Sequence, residues 1–221
     1  MATSSINRFT DPLYTRAEAA RFLGVKHTTL SRWARDIPFV TAMEGDPNRA
    51  SIPFIGLAEA YTLHAFRALG VPLQRIRPAL ERLREEVGLD HALASQKLYT
   101  DGAEVLYEYG QESGDDAVAS LVDVRHQQPV FRDVVAGYLK KITYDHGYAQ
   151  RLPLTGYAGA DVYVDPRLSF GQPVFAHGGA RVGDALDLFR AGEGIETVSE
   201  EYGVPVGELE AVLRASMLPA A

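Results

Sequence analysis

Near the start of the chain, apolar residues recur at helical spacing in two short stretches, Thr15–Leu23 and His27–Arg35, joined across Gly24 and stopped by Pro38. That is the outline of a helix-turn-helix. Between Asp36 and Pro53 the turn formers Glu44-Gly45-Asp46-Pro47-Asn48 separate two short apolar pieces, Ile37–Thr41 and Ala50–Phe54, the pattern of a hairpin wing. Two longer helices are predicted next, Ile55–Leu69 and Leu73–Val87, on either side of Gly70-Val71-Pro72. The second carries Leu73, Ile76, Leu80, Leu83 and Val87 at alternating spacings of three and four. Such a seam either packs on the preceding helix or forms half of a dimer contact, with Pro78 kinking or restarting it.

From Lys97 the pattern shortens to β-like pieces, Lys97–Thr100, Glu104–Tyr109 and Leu121–Val124, split by Asp101-Gly102 and by Gly114-Asp115-Asp116. A helix over Val130–Lys141 follows. Ile142–Tyr144 and Tyr148–Leu154 then flank Asp145-His146-Gly147, a hairpin turn in which glycine accepts positive φ. Gly156–Ala160 is small and turn-rich, a joint; Asp161–Asp165 and Pro173–Ala176 predict short strands; Val182–Ala191, Ile195–Tyr202 and Pro205–Ser216 predict three short helices. The fold class is α+β: a winged helix-turn-helix at about 10–92, a mixed α/β middle region at 93–160, and a strand pair plus a three-helix, helix-turn-helix-like unit at 161–221.

Charge changes this picture. The net charge is −7, yet residues 1–96 carry +2, residues 97–160 −3 and residues 161–221 −6. Only the N-terminal part suits phosphates, because Lys and Arg gain affinity by releasing DNA counterions and carboxylates cannot. The acidic remainder points to protein partners. With no cysteine, disulfides, thiolate zinc sites and a cysteine nucleophile are excluded. No apolar run approaches the ~20 residues that cross a bilayer, and the start lacks the basic and apolar regions of an export signal. A cytoplasmic protein without a membrane role is expected.

With Arg16 as the first position of a twenty-residue helix-turn-helix, small Ala20 falls where the helices touch and Gly24 at the turn, while Ala19, Leu23, Val25, Leu30 and Trp33 take the buried positions. This pattern resembles the MerR-like winged helix-turn-helix domains, a resemblance that extends to about Val87. It implies that the second helix enters the major groove and presents Lys26, His27, Thr28, Thr29, Ser31, Arg32 and Arg35 to DNA. Thr15, as N-cap of the first helix, leaves amides facing a phosphate. Arg49 in the wing either reaches a phosphate or is a solvated turn charge. One departure is Lys26, which stands where related domains often place a Ser or Thr cap. A helix-turn-helix can also serve as a protein-binding module, in which case residues 26–35 are a solvated face.

At the other end, Asp165-Pro166, Gly171-Gln172-Pro173-Val174, Arg181-Val182, Leu186-Asp187-Leu188, Ala191-Gly192 and Ile195-Glu196 through Tyr202 resemble a small bacterial antitoxin-like domain, formerly of unknown function. Phe175-Ala176-His177-Gly178-Gly179-Ala180 departs from it where relatives carry an Arg-Gly-Thr-Arg type turn. Joined to a MerR-like N-terminus, this domain implies an antitoxin of the VapB type. It further implies a PIN-domain ribonuclease of the VapC type as partner, operator double-stranded DNA as ligand, and a homodimer on paired half-sites. Two rivals stand beside it: a stand-alone MerR-like regulator responding to a small ligand, and an adaptor whose helical units bind only proteins.

Nothing predicts catalysis. The histidines at 27, 64, 91, 126, 146 and 177 form no HxxxH or HxH pair, so no metal or other cofactor is expected, and only His27 has a functional reading, through DNA. Asp115, Asp116 and Asp123 belong to a solvated loop. Gly192-Glu193-Gly194 follows a helix and is a turn, not a phosphate cradle. Tyr99, Tyr107 and Tyr109 are expected as half-buried strand residues of a middle sheet.

Overall fold

The computed structural model describes residues 6–36, 40–44, 46, 49–87, 90–125 and 128–217. In chain order its elements are α1 (Arg16–Leu23), α2 (His27–Asp36), α3 (Phe54–Ala68), α4 (Leu73–Val87), α5 (Gln96–Thr100), α6 (Gly102–Ser113), α7 (Asp116–Ala119), β1 (Val122–Arg125), β2 (Gln128–Phe131), α8 (Asp133–Leu139), β3 (Thr143–Asp145), β4 (Tyr148–Pro153), β5 (Val162–Val164), β6 (Val174–Phe175), α9 (Val182–Arg190), α10 (Ile195–Tyr202) and α11 (Val206–Met217). The class is α+β, as the sequence predicts, with the strands in two small sheets. Contacts divide the chain into two compact units, each assembled from separated stretches. The first takes Met1–Ser31, Met43–Phe54 and Arg151–Ala221, the second Arg32–Ala42 and Ile55–Gln150. This grouping follows contacts, whereas the three-part division from sequence follows the chain.

The second unit is built around α3, whose Ile55, Leu57, Ala58, Ala60, Tyr61, Leu63, Ala65 and Phe66 are all buried. Apolar residues on every side of a helix require packing on every side. The α4 seam faces inward as well. Ile76, Leu80 and Leu83 are buried, and α4 packs against α6 and α7, so the choice left open by the sequence falls to packing within the chain. The side chain of Val87 lies outside the described residues. Pro78 is exposed inside α4, which runs through it without a break.

Two stretches expected as strands, Lys97–Thr100 and Glu104–Tyr109, are helices α5 and α6. The buried positions Leu98, Gly102, Leu106 and Gly110 recur every four residues, a helical period. Ser95 caps α5 and Gly114, at φ 64°, closes α6. Tyr99, Tyr107 and Tyr109 therefore lie on helices, not in a sheet. The helix expected over Val130–Lys141 is shorter, because Val130 and Phe131 belong to β2, which pairs antiparallel with β1 in the register Val122↔Phe131. β3 and β4 flank the expected turn, where His146 (φ 48°) and Gly147 (φ 80°) are both left-handed. Two left-handed central residues are what a tight hairpin turn demands.

In the first unit β4 pairs with β5 and β5 with β6, both antiparallel, with Leu152↔Val164 and Val162↔Phe175 in register. α9, α10 and α11 pack on one another after these strands. The expected wing falls partly on residues 37–39, 45, 47 and 48, which lie outside the described residues. Among those described, Met43 N–H donates to the Ser51 carbonyl (2.7 Å), but Ile52 bridges antiparallel to Tyr14 instead of extending a hairpin. Tyr14, buried, sets its ring edge-on to Phe22 at 5.6 Å and donates its hydroxyl to the Gly171 carbonyl (2.9 Å). Burial, helped by the charges of Asp165 and Glu18, holds its phenol above the ordinary range.

Candidate nucleic-acid interface

α1 begins with a capping box. Thr15 Oγ1 accepts the Glu18 amide (3.1 Å) and Glu18 Oε2 accepts the Thr15 amide (2.8 Å). Thr15 is thus placed as the N-cap of α1, with the Glu18 carboxylate closing the box. α1 ends on Gly24 at φ 66°, whose amide turns back to the carbonyls of Ala20 and Arg21. Glycine meets this left-handed turn without a Cβ penalty.

The remaining carbonyls at the end of α1 are held from far along the chain. Gly156 N–H donates to the Phe22 carbonyl (2.8 Å) and Thr155 Oγ1 to the Leu23 carbonyl (2.9 Å), while the Tyr157 ring lies 6.3 Å from that of Phe22. A Cβ on Gly156 would overlap the Arg21 carbonyl oxygen and come within 3.0 Å of the Gly24 nitrogen. The stretch Gly156–Ala160 reads in the sequence as a joint; its first residue is instead part of the seat of the helix-turn-helix. Small residues in a turn-rich stretch carry no apolar period, so only the Thr-Gly-Tyr triplet signals this role.

α2 starts at His27, with the Lys26 carbonyl accepting the amides of Thr29 (2.9 Å) and Leu30 (3.1 Å). Ala19, Ala20, Leu23, Leu30 and Trp33 are buried, whereas Val25 is only half-buried. On the outward side Thr28, Arg32 and Arg35 are exposed at spacings of four and three, which places them on one stripe. Lys26 is exposed beside it; His27, Thr29 and Ser31 are half-buried, with Ser31 Oγ 3.4 Å from His27 Nε2. The structure therefore brings Lys26 and six α2 residues to one helix and its approach. Arg49 is exposed in the loop between α2 and α3, where its amide donates to the Asp46 carbonyl.

The other described histidines serve local structure. His177 Nδ1 meets Glu208 Oε1 at 2.7 Å, and Glu208 Oε2 accepts the Asp161 amide, so the loop that departs from the antitoxin-like pattern is held to α11. His64, half-buried with its ring 5.8 Å from that of Tyr138, is shifted toward the neutral form by burial. His91 is more than a surface residue. In the second unit its Nδ1 lies 2.8 Å from the buried Glu59, which also accepts the Thr41 amide (2.6 Å), and these residues line a cavity of about 180 Å³. The hydrogen bond to Glu59 raises the His91 pKa above its usual value. His126 lies outside the described residues. Asp115 caps α7, accepting the amides of Ala117 and Val118. Among the described residues no three His, Asp or Glu side chains group as metal ligands, and no helix is long and apolar enough to cross a membrane.

A capped first helix, a glycine turn and a second helix with an outward stripe of arginine and threonine define the DNA-binding helix-turn-helix class. Residues 12–80 match the family described as "Putative DNA-binding HTH domain". The chain is 43% identical over 228 aligned residues to a protein of Mycobacterium tuberculosis (strain ATCC 25618 / H37Rv) named "Putative antitoxin VapB45", covering 94% of this chain and 95% of that protein. The crystal structure of Rv2018 from Mycobacterium tuberculosis superimposes with a TM-score of 0.84 at 45% identity, covering 94% of this chain and all of that one. The chain belongs to the family of VapB45-like antitoxins with an N-terminal DNA-binding helix-turn-helix.

Proposed function

We propose that this protein is the non-enzymatic antitoxin of a type II toxin-antitoxin pair. It neutralises a PIN-domain ribonuclease of the VapC type in the cytoplasm and represses its own operon by binding operator DNA as a homodimer. The observation that carries this reading is the near full-length match to VapB45, in a chain whose α2 turns a basic, hydroxyl-bearing stripe outward. In this reading Arg32 and Arg35 pair with guanine edges or phosphates, Thr28, Thr29 and Ser31 meet base edges, and Lys26, His27 and Arg49 anchor the backbone. Thr15 contributes by fixing the start of α1. Two half-sites bound at once raise affinity through effective concentration.

The test is co-expression with the product of the adjacent reading frame. The neighbour alone should arrest growth and cleave RNA, and this protein should copurify with it and restore growth. The absence of both toxicity and a complex would overturn the antitoxin reading. A regulator of the small-ligand type has one feature in its favour, the polar cavity at Glu59 and His91. The same experiment separates the two, since such a regulator has no toxin to bind.

A further inference from the structure

Glu59 is the only acidic residue of α3, a helix buried over most of its length, and its side chain is 3% exposed. A carboxylate taken out of water is tolerated when it is paired and hydrogen-bonded. Glu59 meets both needs, since Oε2 accepts the Thr41 amide and Oε1 lies 2.8 Å from His91 Nδ1. Those two bonds would serve equally well in a filled core. Instead Thr41, Glu59 and His91 border a cavity of about 180 Å³, together with Arg84 and Asp90. That is room for about six waters, or for one small metabolite.

His91 holds a strained backbone at the wall of this cavity. At φ 61° and ψ 38° it is left-handed, a conformation that a residue with a Cβ adopts at a cost, and its side chain does not cap the short 3-10 turn that follows. What the strain secures is the imidazole on Glu59. The charges alternate with depth. Glu59 lies at the floor, His91 is 25% exposed beside it, and Arg84 and Asp90 stand at the mouth, 57% and 81% exposed and 3.3 Å apart. The hydrogen bond to Glu59 favours the imidazolium, and Asp90 and Arg84 act on the same ring with opposite signs. The lining thus offers two cations and two carboxylates. A ligand with one charge would meet a like charge along with its counter-ion, whereas a small molecule carrying both charges finds an opposite partner for each.

We propose that this cavity is a binding site for a small zwitterion of the α-amino acid class, with the ligand carboxylate on Arg84 and its ammonium toward Glu59 and Asp90. The planar guanidinium suits a carboxylate, and the buried Glu59 keeps acceptor capacity beyond its two bonds. The site lies wholly within the second unit and does not depend on the antitoxin reading, so a failure of either leaves the other standing.

The test titrates the full chain with each of the proteinogenic amino acids by isothermal calorimetry, then repeats the tightest binder as its N-acetyl and its α-amide form, each of which lacks one charge. At least one amino acid should bind at millimolar concentration or below, and both blocked forms should bind about tenfold or more weakly. Arg84→Ala and Glu59→Gln should each weaken binding to a similar degree. Arg84 is exposed, so its variant keeps the test valid even if Glu59→Gln does not fold. No binding from any of the amino acids would overturn the proposal. A blocked form that binds as well as its parent would overturn it too, as would Arg84→Ala binding as tightly as the wild type, which places the ligand elsewhere.

Discussion

Gly156 sits where any side chain would overlap the Arg21 carbonyl oxygen, and its amide holds the last turn of α1. The strain of a single methyl group here acts on the helix-turn-helix, although the residue is 132 positions from Gly24. Gly156→Ala should destabilise the protein by about 1–3 kcal/mol, as overpacking of a close contact does. A thermal melt unchanged from wild type would show that Thr155 and Tyr157 seat α1 without it. At this scale the candidate interface was legible: Ala20, Gly24 and the stripe of Thr28, Arg32 and Arg35 follow from helical spacing and turn sterics alone. The capping box was half legible. Thr15 is visible in the sequence as a cap, whereas the answering Glu18 carboxylate, which completes the box, shows only in the structure.

Among the elements, the α4 seam and α6 teach opposite lessons. The seam's period was plain in the sequence, but its partner was not, because a heptad-like pattern serves an intramolecular and an intermolecular neighbour equally well. With Leu80 buried against the rest of its unit, Leu80→Ala should cost about 2–5 kcal/mol of stability and leave the oligomeric state unchanged. Size-exclusion chromatography with light scattering checks the second half, and a loss of dimer would return the seam to an intermolecular role. α6 was misplaced for a physical reason. Val105, Tyr107 and Tyr109 alternate with Glu104 and Glu108 in the manner of a strand, while two of the five buried residues of α6, Gly102 and Gly110, are glycines, which hydrophobicity does not register. Gly110 is small because a Cβ there would stand 3.0 Å from the Ala119 backbone. Tertiary packing of this kind overrides local β preference.

For the whole molecule, the gradient from +2 over residues 1–96 to −6 over residues 161–221 matches a division of labour between nucleic acid and protein. The extent of the two compact units was not legible, since residues 155–157 and 171 join α1 and its approach through single hydrogen bonds that leave no period in the sequence. The account turns on α2 as a reader of DNA. The most direct measurement titrates the DNA upstream of the protein's own reading frame with wild type and with Arg32→Ala, between roughly 50 and 200 mM salt. The wild type should bind with an affinity that falls steeply with salt, and the variant should bind about 1–3 kcal/mol more weakly. Binding that is absent at every salt concentration, or that is equal in the two proteins, would contradict the assignment of the α2 stripe to operator DNA.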